Sequence, residues 1–188
     1  MHKPRLIDVF VFEGVNLLDI SGPVQAFHST PCDGDIPYRH RFISRDGNNI
    51  KTSCGMEIVA QGSISNVDDS ADLLIPGGEG IDACLEDKEL LNALRKLSAR
   101  PDKKRLISIC SGALLLAAVG LLDGKVATTH WGRAEMAKVR FPKVLWQLDR
   151  IYTKSGQIYT SAGVSTGIDL ALAIIEEDFG TSNSLKVA

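Results

Sequence analysis

The chain has 188 residues, is 44% hydrophobic and 23% charged, and carries a formal net charge of -2. This is the composition of a single globular domain large enough to bury a sizeable core, and its charge balance gives no electrostatic footprint for nucleic acid. No apolar run approaches the ~20 residues of a membrane helix, and the N-terminal MHKPRLIDVFVF lacks the features of a signal peptide, so a cytoplasmic protein without a membrane partner is expected. The cysteines Cys32, Cys54, Cys84 and Cys110 form no C-x-x-C pair, and neither they nor His2, His28, His40 and His130 have metal-ligand spacing. Free thiols, with no metal and no cofactor, are expected.

Leu6 to Phe12 (LIDVFVF) predicts a first strand, rich in branched and aromatic residues. EGVNLLDISGP follows as a loop, and Ser21 and Pro23 are suited to start a helix running to about His28. Tyr38 to Ser44 alternates polar and apolar residues, as an edge or half-buried strand does. GNNIKTSCGMEIVA predicts a hairpin region, and ADLLIPGG a short buried strand running into a glycine turn. Leu85 to Ala99 has helical periodicity, with Leu90, Leu91, Leu94 and Leu97 on one side. Leu106, Ile107 and Ile109 predict a buried strand ending on Cys110, and Ala113 to Val119 a helix directly after it. Lys125 to Trp131 (KVATTHW) predicts another strand, and RIYTKSGQIYTSAG a hairpin turning at Ser155-Gly156. VSTGIDLALAIIEEDFG predicts an apolar helix closed by Gly180. Strands that alternate with helices, several of them continuously apolar, predict an α/β fold with a mostly parallel sheet covered on both faces. No repeat, low-complexity segment or linker interrupts it.

The segment Ser108-Ile109-Cys110-Ser111-Gly112 has small residues on both sides of a potential nucleophile. That is the steric demand of a nucleophile elbow, a sharp strand-to-helix turn with no room for bulk. Such a turn holds Cys110 in an unfavourable backbone conformation and lifts its sulfur into a crevice. It also aims a helix N-terminus at the sulfur, which favours the thiolate. A cysteine at a strand end is by residue type a packing residue; the strand-turn-helix context is what points to function and makes Cys110 the expected most reactive thiol. In open α/β sheets sites gather at the carboxyl ends of strands, where Cys110, the Gly77-Gly78 turn and the loop holding Asp19 all fall.

Two readings stand for Asp19: a carboxyl that shares a proton with Cys110 or acts as a general acid, and a cap for the helix beginning near Ser21. Gly77 and Gly78 either present N–H groups to a developing oxyanion or form a tight turn. His130 is a candidate general base, but no Asp or Glu close in sequence orients it, which favours a structural or pocket-lining role. Ser111 reads as an elbow residue whose N–H faces the site. Thr166 and Asp169, in TGID, fall near the N-terminus of the last long helix, where Asp is favourable anyway. The expected ligand-binding set is Gly77, Gly78, Ser111, His130 and Thr166, with Cys110 and Asp19 catalytic if the site is enzymatic.

In NLLDISGP, LLIPGG, ISICSGALLLAAVGLLDGKVATTHW and TSAGVSTGIDLALAIIEEDFG the chain resembles the PfpI-like branch of the class I glutamine amidotransferase-like superfamily. The motifs stand in the family's order and span nearly the whole chain. The resemblance implies a flavodoxin-like three-layer sandwich with Cys110 at its elbow, and a homodimer. Two groups in the superfamily carry such segments. In isocyanide hydratases, which add water to an isocyanide carbon to give an N-formamide, the cysteine is the nucleophile and the aspartate transfers protons; these would be Cys110 and Asp19. The other group is the N-terminal domain of AraC-family transcriptional regulators, which IIEEDFGTSNSLKVA resembles more. There the stretch leads into a linker and a helix-turn-helix domain. The chain is therefore expected to be a piece of a longer regulator that reaches DNA only through a domain beyond Ala188. Ser111 stands where the intracellular protease branch has histidine, so a protease is not expected. The preferred expectation is a domain that binds a small polar or nitrogen-containing ligand and dimerises. The alternative is a cysteine-dependent hydratase or hydrolase, and a third reading is a redox-responsive module built on the Cys110 thiolate.

Overall fold

The structure is a computed structural model that describes residues 4–31, 36–66, 71–97 and 104–188; His2, Cys32 and Ala99 of the reading above lie outside the described residues. In chain order the elements are β1 (Arg5–Phe10), α1 (Leu17–His28), β2 (Tyr38–Ile43), β3 (Ile50–Lys51), β4 (Glu57–Ile58), β5 (Asp72–Ile75), α2 (Ile81–Glu86), α3 (Lys88–Leu97), β6 (Leu106–Ile109), α4 (Ala113–Ala118), β7 (Val126–Ala127), α5 (Ala134–Arg140), β8 (Leu145–Trp146), β9 (Tyr152–Ser155), β10 (Ile158–Ser161), α6 (Thr166–Phe179) and α7 (Thr181–Val187).

The main sheet has the order β2-β1-β5-β6-β10-β9, parallel throughout except for the β10–β9 hairpin. From β1 the chain crosses to β2 on one side and then to β5 on the other. That is the flavodoxin-like order, and it opens a crevice at the switch point between β1 and β5. Helices α1, α6 and α7 pack together, as do α2, α3 and α4. A sheet covered this way needs strands that are apolar on both sides, and Val9, Phe10, Leu74, Ile75, Ile107 and Ile109 are all buried. No helix among the described residues is long and apolar enough to cross a membrane.

Two buried strand aspartates depart from the apolar rule and are both paired. Asp8 accepts both arms of Arg41, its register partner on β2, at 2.7 and 2.8 Å. Asp72 accepts from the Arg5 guanidinium at 2.5 and 3.0 Å and from the Arg105 N–H at 2.8 Å. Arg105 in turn holds Asp178 of α6 at 2.5 and 2.6 Å, and the Tyr38 hydroxyl donates to the same carboxylate at 2.6 Å. Burial works against the Asp178 charge, but Arg105 and Tyr38 outweigh it and hold its titration below the usual carboxylate range. The network ties β2, β6 and α6 to one charge. On the outer side of β2, the Phe42 N–H donates to Gln61 Oε1 at 2.8 Å and the Phe42 carbonyl accepts the Gln61 N–H at 2.7 Å.

The two predicted hairpins and the predicted main-sheet strands are present, and three other segments differ from expectation. Helix α1 starts at Leu17, four residues before Ser21, because the Asn16 side chain caps it by accepting the Leu18 N–H at 3.0 Å. Pro23 therefore lies inside the helix and has no N–H to give the Asp19 carbonyl one turn back. The predicted helix from Leu85 is two helices, α2 and α3, broken at Asp87, whose Oδ1 accepts the Glu89 and Leu90 N–H groups at 3.0 Å each. Of the predicted strand Lys125 to Trp131 only Val126–Ala127 pairs, in a small parallel sheet with β8. Thr128 and Thr129 are drawn off into side-chain bonds: the Thr128 N–H to Thr160 Oγ1 and the Thr129 hydroxyl to the Cys110 carbonyl.

Removing one partner of a buried charge network leaves the other charge uncompensated. Asp178→Ala is expected to cost about 3 kcal/mol in urea unfolding. Asp82→Ala, which breaks the exposed pair with Arg133, should cost about 1 kcal/mol or less in the same assay.

Candidate functional site

Among the described residues Cys110 is the one non-glycine with positive φ, +57°. It opens a 3₁₀ turn, Cys110–Gly112, that joins β6 to α4. Such a conformation costs about 1–3 kcal/mol and survives only where surroundings over-determine it. Here the surroundings are close backbone. A Cβ on Gly112 would lie 2.2 Å from the Ile75 carbonyl oxygen, and one on Gly77 would lie 2.6 Å from the Ser111 nitrogen and 2.8 Å from Cys110 Cβ. The Thr129 hydroxyl holds the Cys110 carbonyl at 3.0 Å.

Asp19 lies in the first turn of α1, fully buried, and does not cap the helix. Its Oδ2 accepts the Gly77 N–H at 2.9 Å. Oδ1 is buried without a hydrogen-bond partner, and the Cys110 thiol is an electrostatic neighbour of the carboxyl. Burial pushes Asp19 up to about 6, against the Gly77 N–H and Cys110. Burial and the Asp19 charge push the Cys110 thiol up as well, and the Ser111 N–H and hydroxyl recover only part of this. Two such groups share a proton: below the thiol's titration and above that of Asp19, the pair holds one proton and one negative charge.

Burial and the Asp19 charge thus oppose the pull of the elbow toward the thiolate. Cys110 is buried and holds its proton, whereas Cys54, at the β3–β4 turn, is exposed and pulled down by the Thr52 hydroxyl and the Met56 N–H. Cys84 is buried and pushed up to about 12 by burial and by Asp87. Of the three described cysteines Cys54 is the exposed one, while Cys110 meets solvent through the pocket described next.

A correction concerns the glycine turn. The Gly77 N–H is engaged by Asp19 and the Gly78 N–H by Ser111 Oγ at 3.2 Å, so neither is open to an oxyanion. Gly77 acts instead by letting two backbones meet, and Gly78, at φ +154°, directs the chain into α2.

Above Cys110 lies an open pocket of about 230 Å³ lined by Asn16, Ser53, Gly78, Glu79, Cys110, Ser111, His130, Arg133 and Val164. Ser111, His130 and Gly78 thus sit where the reading from sequence puts them. His130 Nδ1 accepts the Gly132 N–H at 3.2 Å, and among the described residues no carboxylate orients the ring, so it lines the pocket. Thr166 does not reach the pocket: its hydroxyl donates to the Gly163 carbonyl and accepts the Gly163 N–H, at 2.6 and 2.9 Å, closing the turn before α6. Asp169 is exposed on α6, outside the pocket.

Sequence reasoning missed Asn16, Ser53, Glu79, Arg133 and Val164. Glu79 directly follows the Gly77-Gly78 turn and was within reach of that argument. Ser53 was not, because it arrives on a distant hairpin whose N–H docks on the Val15 carbonyl at 2.9 Å. Among the described residues no group of three His, Cys, Asp or Glu side chains is placed to hold a metal ion.

Asp19→Asn removes the charge that holds the Cys110 proton and offers a donor in its place. Alkylation of Cys110, followed by mass spectrometry against pH, should move to lower pH, the rate at a fixed pH rising about tenfold per unit of displacement. Identical profiles would place the two side chains out of contact. The fold should report the same charge. As pH rises from about 4 to about 6 the unfolded chain releases the Asp19 proton while the folded chain keeps it, so the wild type loses stability. Asp19→Asn should escape this loss, which is on the order of 3 kcal/mol for a carboxyl moved from 3.8 to about 6.

The DJ-1/PfpI family model matches residues 5–177. The isonitrile hydratase of Pseudomonas putida is 28% identical over 181 residues, which is 96% of this chain and 75% of that protein. The HTH-type transcriptional regulator GbdR of Pseudomonas aeruginosa is 24% identical over 188 residues, 100% of this chain and 50% of the regulator; the chain spans half the length of that relative. The crystal structure of a ThiJ/PfpI family protein from Pseudomonas syringae superposes with a TM-score of 0.85 at 26% identity, covering 98% of this chain and 73% of that one. With a family match that runs from β1 into α6 and takes in the Cys110 turn, the chain belongs to the DJ-1/PfpI family.

Proposed function

We propose that this domain is the ligand-sensing and dimerising part of a cytoplasmic transcriptional regulator of the AraC type, binding a small polar molecule above Cys110. DNA contact is assigned to a separate helix-turn-helix domain of the longer protein. The observation that carries the reading is the engagement of both glycine N–H groups, Gly77 by Asp19 and Gly78 by Ser111. With a protonated, buried Cys110 below them, they make a floor suited to binding rather than a donor pair waiting for developing charge. The match to GbdR over the whole chain supports the same reading.

One observation favours a hydratase instead: a buried carboxyl and a strained cysteine share a proton beneath a pocket, and isonitrile hydratase is among the relatives. In that reading Asp19 takes the Cys110 proton as the sulfur bonds the isocyanide carbon and passes that proton to the carbon, leaving a thioimidate. Water then adds to this carbon, the C–S bond breaks with its electron pair going to sulfur, one water proton ends on the nitrogen of the N-formamide and the other returns to the Cys110–Asp19 pair.

The two readings differ in turnover. In a thermal-shift screen of small amines, amides, amino-acid derivatives and isocyanides, a sensor should give a compound that raises the melting temperature as its concentration passes its Kd and is not consumed. Cys110→Ala should keep much of that binding. Rapid conversion of an isocyanide to its formamide by the wild type, abolished in Cys110→Ala, would overturn the sensor and establish the hydratase.

Support for a dimer comes from exposed Leu18, Met56 and Val59 beside a groove lined by Leu17, Val24, Phe42 and Ile58. Surface apolar clusters of this kind mark interfaces. Sedimentation equilibrium at micromolar concentration should return a dimer for the wild type and a weakened one for Val59→Lys; a wild-type monomer across the range would refute dimerisation.

A further inference from the structure

A second recess opens at the carboxyl ends of β1 and β2, where open α/β sheets place their sites. It lies between the β3–β4 hairpin and the α2–α3 break, has a volume of about 390 Å³, and shares no lining residue with the pocket above Cys110. Its apolar wall is Phe10, Phe12, Ile50, Cys84 and Leu90, all buried. The Phe10 and Phe12 rings stand 5.7 Å apart and are tilted by 34°, so they offer a third ring the offset and edge-to-face contacts that aromatic groups prefer. The polar side chains around the recess are already engaged. Arg45 is held by Asp87 and Glu89, and the other Asp87 oxygen takes the Glu89 and Leu90 N–H groups. Asp46 accepts the main-chain and side-chain N–H groups of Asn48 at 3.0 and 2.8 Å. The Ser44 hydroxyl donates to the Asn48 carbonyl at 2.8 Å and accepts the Gly47 N–H at 3.0 Å. Asn49 donates to Glu57 at 3.1 Å and accepts the Ala60 N–H at 3.2 Å, while the Glu13 carboxylate accepts the Lys51 N–H at 3.2 Å. A charged or strongly polar guest would leave water and find these groups taken, a cost that an apolar guest does not meet.

We propose that this recess is a second small-molecule site, one that takes a compact, neutral, aromatic ligand between the Phe10–Phe12 wall and Leu90. The site is independent of the sensing pocket above Cys110 and of what that pocket binds. Its size falls in the range of ligand pockets, about 300–1,000 Å³. An apolar cavity of about 150 Å³ already holds benzene, so about 390 Å³ leaves room for a substituted or fused ring. At the rim Glu13, Asp46, Asp87 and Glu89 outnumber Arg45, which disfavours an anion further. Their oxygens are occupied as described, which leaves a cation few bonds to gain.

The test follows amide chemical shifts of the wild type by NMR at neutral pH. Benzene, toluene and ethylbenzene are the neutral probes, benzoate is the anion and benzylammonium the cation. The neutral probes should give saturable shifts concentrated on Ile50, Ala83, Cys84 and Leu90, with Kd falling about fourfold for each added carbon. At these amides benzoate and benzylammonium should bind about tenfold more weakly than toluene, or worse. Ala83 lies exposed on α2 at the edge of the recess, so Ala83→Phe puts a ring into the mouth without entering the core. It should keep the wild-type spectrum elsewhere and weaken toluene about fivefold or more. Three results would overturn the site: no saturable shift from toluene or ethylbenzene up to their solubility, shifts centred on Ser111 and His130 instead, or unchanged toluene binding in Ala83→Phe. Charged probes that match toluene at Ile50, Ala83, Cys84 and Leu90 would overturn the ligand class. All of these outcomes leave the sensing reading where it stands, since that reading is decided by turnover at Cys110.

Discussion

A cysteine in the left-handed region is tolerated in this fold because two neighbouring segments have no side chains where they meet it. The end of β5 and the start of α4 approach so closely that a methyl group on Gly112 would lie 2.2 Å from a carbonyl oxygen, and one on Gly77 would strike Ser111 and Cys110 itself. Once those backbones are in contact, the rest of the site follows. The Gly77 N–H points to the first turn of α1, the Gly78 N–H to Ser111, and the Thr129 hydroxyl to the carbonyl of the strained residue. The positions of α1, β5 and α4 are thus read off one tight junction, at the crevice that the β2-β1-β5 strand order opens.

The same junction sets the electrostatics. Closing backbone around Cys110 removes water from the sulfur and from Asp19 together, and both then resist ionisation for one reason, burial. The helix terminus beside the sulfur is a real attraction, carried by the Ser111 N–H, but it is a partial charge set against a full one on Asp19 and against desolvation. Of these effects the larger two win. At this elbow the protonation of the cysteine depends on the buried carboxyl beneath it as well as on its position.

Much of the fold was legible because its strands are short, apolar and bounded by glycine, and because both hairpins carry their turns in the sequence. The site was legible as far as a local pattern reaches: Cys110 from small neighbours on either side, Ser111 beside it, His130 from its place after a strand. Asp19 was found, but its neighbours in sequence, Ser21 and Pro23, imitate a helix start and hid the fact that Asn16 had already begun the helix. The glycine pair was placed correctly and misjudged in its hydrogen bonds, since the acceptors come from 58 and 33 residues away. Thr166 does open the last long helix, as its place in TGID suggests, yet its own turn takes its hydroxyl. Ser53 and Val164 belong to the pocket through tertiary approach alone, which no periodicity encodes.

The outer margin of β2 has a consequence for how copies of the molecule can meet. A parallel sheet normally leaves its last strand with a row of open donors and acceptors, a template for pairing with another chain. Here the amide of Gln61 stands in for a missing neighbour, its side-chain oxygen and main-chain N–H taking both polar groups of Phe42, and the Gly62 carbonyl accepts the Ser44 N–H just beyond. Exposed Arg39 adds charge along the same strand. With the C-terminal half of this edge closed by its own loop, a ribbon running the full length of β2 into another molecule is blocked at Phe42 and Ser44. Contact between copies across that half is left to side chains, which can be specific and can dissociate, where an annealed backbone edge could not.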